Sequence, residues 1–585
     1  MRNQVYIQKP TNWIAIAVKV LALVALVVVT NYGFADRIKL LYATSRWFTL
    51  IFYLGIWGVS ASALVIAAFQ PKKIVRLGWA LLLSISAGVA FFYTSVSGSD
   101  LSVFDALSLW AAKHEAHRAL AFYQSGFINA ILVFVASFVV IAIPPVPNNR
   151  WLSLGLKWLS WTPAVPVLLI AAIIVLKEGG GSQALPSQFQ PLAVGLVTAI
   201  KTANQTRHSR KKVAIKADQP HLAKNIVMLI DESVRPDYFN WKPGNPYTPK
   251  LAANKHNIVN FGQAASGGNC SSYSNAILRL GGTSNDISTS ITTNPTIWQY
   301  AKQAGYRTVY IDGQTGLNKN PGLLQNFMSI NETKNIDRLV HFTDVPSPQL
   351  DFKLLEVIRK ELASPNPVFI YANKNGAHFP YDEGYPKSQS VFEPTITQAG
   401  EDINDTRLNS YLNVIRWSVD KFFGHFFDQL DLTETTVIYT SDHGQALFNG
   451  QLTHCSVKDP DPREGLVPLF ALTGNSELKT RFEQGARLNK ITASHFSIRP
   501  TVLELMGYKP QEVKKRYGPS MFVARTDTPH FTSGDIFGVF RQKASWTPLD
   551  LHKNYLEFDT PPQSRPAPMV SVDHKHELVP TTLAD

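Results

Sequence analysis

Only two cysteines, Cys270 and Cys455, occur in 585 residues. A chain this long can bury enough core to do without bridges, so no disulfide framework is needed to hold it together. One bridge between the two is one reading, and two buried thiols is the other. Charge is missing from five long stretches near the front: Trp13 to Thr30, Phe48 to Phe69, Leu77 to Gly98, Phe127 to Val146 and Trp158 to Leu176. Four carry no charged residue. The first carries only Lys19, close enough to one end to snorkel. Each is near the roughly 20 residues that cross a hydrocarbon core, and a cleaved signal peptide accounts for at most the first. Five such spans argue against a soluble chain and place the termini on opposite sides of a membrane. Acid is missing from the run Lys201 to Lys216, which holds Lys201, Arg207, Arg210, Lys211, Lys212 and Lys216. For a chain of formal net charge +13, anionic lipid head groups are therefore the expected partner of this run, rather than nucleic acid. A solvated linker is the plainer alternative.

Basic residues in the short loops set orientation. Arg2, Lys9, Lys72, Lys73, Arg76, Arg150 and Lys157 fall on one side, and Arg37, Lys39, Arg46, Lys113 and Arg118 on the other. The bias favours a cytoplasmic N-terminus and an exported remainder. The expected organisation is a transmembrane domain over 1–177, a basic linker over 178–220, a second domain over 221–550 and a Pro-rich tail over 551–585. Between Asp100 and Gln124, Leu101, Phe104, Leu107, Ala111 and Ala112 recur at helical spacing, which suits an amphipathic helix on the outer membrane face. There is no internal repeat. From Asn225 onward, strand-like runs (Asn225 to Ile230, Thr308 to Ile311, Pro367 to Tyr371, Thr435 to Thr440, Leu466 to Leu472) alternate with helical patterns (Thr296 to Ala304, Phe352 to Leu362, Leu408 to Leu430, Ser494 to Met506). Such alternation predicts an α/β domain with a mostly parallel central sheet and a site at the carboxyl ends of its strands.

The residues at those ends carry the chemistry. Asp442-His443-Gly444 follows a β-rich run, and an Asp and a His side by side at a strand end can reach one divalent metal. The Gly permits a sharp turn. Asp231-Glu232-Ser233 ends another strand with two carboxylates. Gly267-Gly268-Asn269-Cys270-Ser271-Ser272-Tyr273-Ser274 leads into a helical pattern, so a hydroxyl stands at a helix N-terminus, where the dipole and a metal would both favour its alkoxide. Each has a plainer reading: a turn, a cap, an ordinary Ser N-cap. His378 follows a third strand, His454 lies soon after the Asp-His pair, and His495 begins a helix.

A Glu, a Ser, an Asp-His pair and further histidines in this order resemble the alkaline phosphatase superfamily. More narrowly, the chain resembles the membrane-anchored phosphoethanolamine transferases, relatives of the sulfatases and lipoteichoic acid synthases, over roughly residues 10 to 545. The resemblance implies five N-terminal spans and an exported sulfatase-like domain. It makes Glu232, Asp442 and His443 metal ligands together with Ser271, the nucleophile counted three residues before Ser274. A Thr is usual at that position. Ala276 stands where the family has Pro, so Ser272 and Cys270 stay open as alternatives for the nucleophile. Asp231 takes the family's Gly or Leu position. His378, in Gly376-Ala377-His378-Phe379-Pro380-Tyr381, would face the substrate phosphate. His454 would bind phosphate or a second zinc, and His495 would be structural.

The implied reaction moves phosphoethanolamine from phosphatidylethanolamine to a cell-envelope acceptor, such as lipid A, a lipopolysaccharide core or another glycan. It proceeds through a phospho-Ser271 ester, with zinc (or Mn2+ or Mg2+) as the metal and His378 and His454 handling charge or protons. A monomer in the bacterial inner membrane with its catalytic domain in the periplasm is expected. A phosphoglycerol transferase using phosphatidylglycerol shares nearly every one of these residues. A true sulfatase would need Cys-x-Pro-Ser-Arg, and Cys270-Ser271-Ser272-Tyr273-Ser274 has neither the Pro nor the Arg. A catalytically degenerate membrane-anchored sensor or scaffold is the reading of another class. It would hold no metal and form no adduct.

Overall fold

The computed structural model describes residues 13–97, 99–111, 120, 123–144, 150–203, 209–314, 328, 330–400, 402–447, 453–457, 459–540 and 544–558. Among these, four helices are long and apolar enough to cross a membrane: Trp13–Thr30, Trp47–Ala68, Lys73–Ser97 and Gln124–Ala142. The fifth expected span is shorter. A helix at Arg150–Trp158 gives way to a turn, and the apolar helix that follows runs only Ala164–Leu176. Its 13 residues reach about 20 Å at 1.5 Å per residue, short of the roughly 30 Å hydrocarbon core. Pro163 cannot sit inside a helix without breaking its ladder, so the new helix begins after it.

Lys19 does not snorkel to water. It is buried and donates to the carbonyls of Ala68 and Ile141 at 2.7 and 3.2 Å, and to that of Ile143. These carbonyls belong to the ends of two neighbouring helices, whose unpaired C=O groups and negative dipole ends a lysine satisfies. Beyond the spans, Val103–Ala111 is helical as the spacing predicts. Within the stretch expected to be a linker, Gln190–Ala203 forms a helix whose Ala193, Val194 and Val197 are buried in the membrane-domain core. Of the basic run, Arg207 lies outside the described residues, as do residues 559–585 of the expected Pro-rich tail.

The second domain is built on a seven-stranded sheet of β1 (Asn225–Asp231), β2 (Val259–Ala265), β3 (Arg307–Asp312), β4 (Arg338–His341), β5 (Val368–Asn373), β6 (Thr435–Ser441) and β7 (Leu466–Thr473). Its order is β2-β7-β6-β1-β5-β3-β4. β7 runs antiparallel to both neighbours, while β6, β1, β5, β3 and β4 pair in parallel. A two-stranded sheet of β8 (His530–Ser533) and β9 (Ser545–Pro548) lies apart. β1, β5 and β6 are buried along their whole length, which is why they read as continuous apolar runs. Each face of the large sheet packs its own apolar cluster, with Met228, Trp298 and Phe369 in one and Val227, Ile370 and Phe423 in the other. The α/β fold with a mostly parallel sheet is thus as expected, behind four long apolar helices.

Candidate metal centre and active site

The register of β1 against β6 pairs Asp231 with Ser441. The next residues, Glu232 and Asp442, therefore leave the sheet side by side, with Asp442 N donating to Asp231 O at 2.9 Å. Glu232, Asp442 and His443 are buried, and one ligand atom from each lies within 4.8 Å of the others. His443 Nε2 is 3.2 Å from Glu232 Oε1 and 3.8 Å from Asp442 Oδ1. His443 Nδ1 pairs with the Gly444 carbonyl at 2.8 Å. That contact makes Nδ1 a donor and aims Nε2 at the two carboxylates, where it holds a proton in the metal-free site and would give its lone pair to a metal.

Gly444 is required by close packing: a Cβ there would overlap Arg463 O and sit 2.5 Å from Leu466 O. Gly376, at φ +53, is required twice over, since a Cβ would overlap Asp231 Oδ1 and lie 2.6 Å from Glu232 N.

Ser271 opens the helix Ser271–Leu280 with Cys270 as its N-cap. Its Oγ lies 3.2 and 3.1 Å from the two Glu232 oxygens and 3.1 Å from His443 Nε2. Of the hydroxyls and thiols in this segment, Ser271 is the one in contact with the cluster. Cys270 is bonded to Cys455, with Cα atoms 4.7 Å apart, which removes it as a nucleophile and takes the bridged reading of the two cysteines.

The disulfide ties the Ser271 helix to the segment bearing His454, and the His454 ring stacks on His443 at 4.4 Å. Burial and the adjacent His443 push His454 down to about 3, so it is neutral near pH 7. His378 is half-buried after β5, near enough to interact electrostatically with both Glu232 and His454. His495 stands apart as a strut: Nδ1 accepts from Gly267 N at 3.0 Å and Nε2 pairs with Thr440 Oγ1 at 2.9 Å.

Electrostatics test whether a cation fits. Burial, then the neighbouring Glu232 carboxylate, push Asp442 well above the usual carboxylate range. Burial also opposes charge on Glu232, but its hydrogen bond and attraction to His443 hold it well below. Burial lowers His443, yet Asp442 and Glu232 outweigh it and raise the imidazole to about 9. The pocket thus draws in one extra positive charge. Asp442 Oδ2 is buried without a hydrogen-bond partner, an oxygen left available for a ligand. Two carboxylates, one imidazole nitrogen aimed between them and a hydroxyl suit a divalent ion of the zinc type, which would take the place of the imidazole proton.

Two supports were not read from the sequence. Gln314, just past β3, donates to Glu232 Oε2 at 2.8 Å and to Lys374 O at 3.0 Å. Its signal was its place at a strand end, the rule that found the others. Lys374 and Asp231, both fully buried, pair at 2.7 Å directly behind Glu232. Lys374 Nζ also donates to Ser418 O at 2.6 Å, in a π-helical stretch at Ile415–Lys421, and lies 3.7 Å from Asp351.

The sulfatase family profile matches residues 224–508. The chain is 27% identical over 173 residues to the Kdo(2)-lipid A phosphoethanolamine 7''-transferase of Salmonella typhimurium, covering 27% of this chain and 30% of that protein. It is 23% identical over 322 residues to the Escherichia coli protein of the same name, covering 52% and 55%. The matches therefore span about a third to a half of these curated relatives. The integral membrane lipooligosaccharide phosphoethanolamine transferase A of Neisseria meningitidis has a similar fold (TM-score 0.60, 19% identity), covering 86% of this chain and 99% of that one. Residues 224–508, which hold Glu232, Ser271, Asp442 and His443, are thus the part of the chain that resembles the sulfatase family.

Proposed function

We propose that this protein is a metal-dependent phosphoethanolamine transferase of the bacterial inner membrane, with its catalytic domain in the periplasm. Phosphatidylethanolamine is the donor, and the acceptor is an envelope glycolipid of the lipid A type or another glycan. The observation that carries the reading is Ser271 Oγ, 3.1 Å from His443 Nε2 and from Glu232 at a helix N-terminus. A fifth crossing by the Ala164–Leu176 region is needed for the exported orientation.

Glu232, Asp442, His443 and Ser271 would hold a zinc ion, which when bound supplies positive charge for phosphoryl oxygens and lowers the pKa of the serine hydroxyl. The helix dipole adds to that preference at Ser271. Ser271 Oγ attacks the donor phosphorus; the bond to the diacylglycerol oxygen breaks, and that oxygen leaves with a proton. A phosphoethanolamine ester on Ser271 remains. An acceptor hydroxyl or phosphate oxygen then attacks the same phosphorus, and Ser271 Oγ departs. His454, neutral and stacked on His443, would face the phosphoryl oxygens or the acceptor as a hydrogen-bonding group, and the acceptor's proton passes to solvent. His378, with Nδ1 paired to the Phe379 carbonyl at 2.6 Å, has Nε2 left for the phosphate or the leaving oxygen.

The test is diacylglycerol release from labelled phosphatidylethanolamine by purified protein. Release is expected with the wild type and absent with Ser271→Ala. Release that survives Ser271→Ala rejects the assignment, and release only from phosphatidylglycerol selects the phosphoglycerol reading.

A further inference from the structure

Glu464 sits in the short helical turn Pro462–Gly465 that leads into β7, and the chemistry above makes no use of it. It is buried, with 1% of its surface exposed. Its Oε1 accepts from Asp461 N at 3.2 Å, which closes a capping box and fixes the direction of the carboxylate. Its Oε2 is then aimed at two other parts of the chain. Asn269 Nδ2 donates to it at 2.8 Å, and Ser456 N donates to it at 3.1 Å. The main-chain oxygen of Glu464 accepts from Gly444 N at 2.9 Å. Asn269 stands two residues before Ser271, Ser456 two residues after His454, and Gly444 directly after His443. One residue therefore touches the nucleophile loop, the His454 segment and the turn that carries two metal ligands.

The first two segments also meet each other beside it. Asn269 Nδ2 donates to Ser456 O at 2.7 Å, and Cys455 N donates to Asn269 O at 2.8 Å. The Cys270–Cys455 bridge crosses the same gap. A single bridge fixes a separation, whereas a bridge with a second point of attachment also fixes orientation. A side chain that only filled this space would need no charge. Among the described residues no cation pairs with Glu464, and a carboxylate buried in that way is costly. Bonds from neutral donors offset the cost, and those bonds exist only while the segments keep this arrangement. We propose that Glu464 is a positioning residue for the transfer, holding Ser271 and His454 in register with the Asp442-His443 turn. Its effect on turnover rests on the phosphoethanolamine transferase reading, and the tie between the segments does not.

The test compares variants of the zinc-loaded full-length protein in detergent by hydrogen–deuterium exchange and by diacylglycerol release from phosphatidylethanolamine. Glu464→Ala should speed exchange in the peptides that contain Asn269 to Ser271 and Cys455 to Ser456. It should lower kcat by about tenfold to a hundredfold, the scale of a ~1 Å misplacement, with KM within about twofold of the wild type. Glu464→Gln keeps an oxygen for Asn269 and Ser456, and should restore slow exchange and most of kcat. If Glu464→Ala does not fold, Glu464→Met fills the same space without an acceptor and should show the same two changes. Wild-type exchange or wild-type kcat in a folded Ala or Met variant overturns the proposal. So does a change in KM alone, or a Glu464→Gln protein as slow as Glu464→Ala. If the wild type itself releases no diacylglycerol, the transferase reading fails, and exchange alone then decides the tie.

Discussion

Replacing Lys374 by Met leaves Asp231 buried with no cation against it, and the consequence depends on pH in a calculable way. Asp231 has side-chain exposure of 0% and pairs with Lys374 at 2.7 Å. Tyr439 also donates to it at 2.8 Å. Burial already pushes its carboxyl up to about 6, against the opposing pull of Lys374. Without Lys374 the folded state keeps the Asp231 proton to higher pH, while the unfolded chain releases it near 3.9. Where only the folded state holds a proton, stability falls by about 1.4 kcal/mol per pH unit. The wild type stops losing stability through this group near pH 6, and the variant continues. The extra destabilisation should reach about 3 kcal/mol between pH 6 and pH 8, at the lower edge of the ~3–5 kcal/mol for breaking a buried pair. At about 2–4 °C per kcal/mol, thermal melting of the full chain in detergent should show Lys374→Met losing roughly 6–12 °C more at pH 8 than at pH 6. Asp231→Asn combined with Lys374→Met should remove most of that pH dependence. A loss equal at the two pH values refutes the reasoning.

Other consequences follow from the same geometry. Glu232→Gln should lower bound zinc, measured by elemental analysis after dialysis, by tenfold or more, because the site loses a full negative charge while keeping its shape. Retention of stoichiometric zinc contradicts the ligand assignment. Mutating both cysteines, Cys270→Ser with Cys455→Ser, opens a loop of sequence separation 185. Chain entropy puts that cost at about 5 kcal/mol, seen as a large drop in melting temperature, with a faster loss of activity as the His454 segment comes free. His495 is pushed down to about 3, mainly by burial, so it stays neutral in the folded state where the unfolded chain would protonate it. Its contribution to stability is therefore present above about pH 6.5 and is lost as pH falls toward 3. His495→Gln should flatten the acid limb of a stability–pH curve, at the cost of some stability at pH 7.

The sequence made some of this structure legible and hid the rest for physical reasons. The strands it announced, such as Thr435 to Thr440 and Asn225 to Ile230, are buried on both faces and so read as uncharged runs rich in apolar and β-branched residues. β2 gave no such run: Val259–Ala265 alternates in exposure, contains Gly262 at φ +82 and shifts register against β7. β4, four residues at a sheet edge, is too short to show a period. Glu232, Asp442, His443 and Ser271 were found because each sits at a strand end or helix start, and the fold brings all four together. Lys374 and Asp231 are 143 residues apart, and nothing local marks a lysine that will be buried against a distant acid. Lys19 misled for a related reason, since whether a lysine near a helix end meets water or a neighbour's carbonyls is decided by packing.

The central claim is that Ser271 carries the transferred group. Incubating the zinc-loaded protein with phosphatidylethanolamine, quenching in acid and measuring the mass of the peptide that contains Ser271 tests it directly. The account predicts a phosphoethanolamine increment on Ser271, present with wild type and absent with Ser271→Ala. An unmodified Ser271 beside an adduct elsewhere, or a glycerol phosphate increment when phosphatidylglycerol is supplied and none with phosphatidylethanolamine, would contradict it.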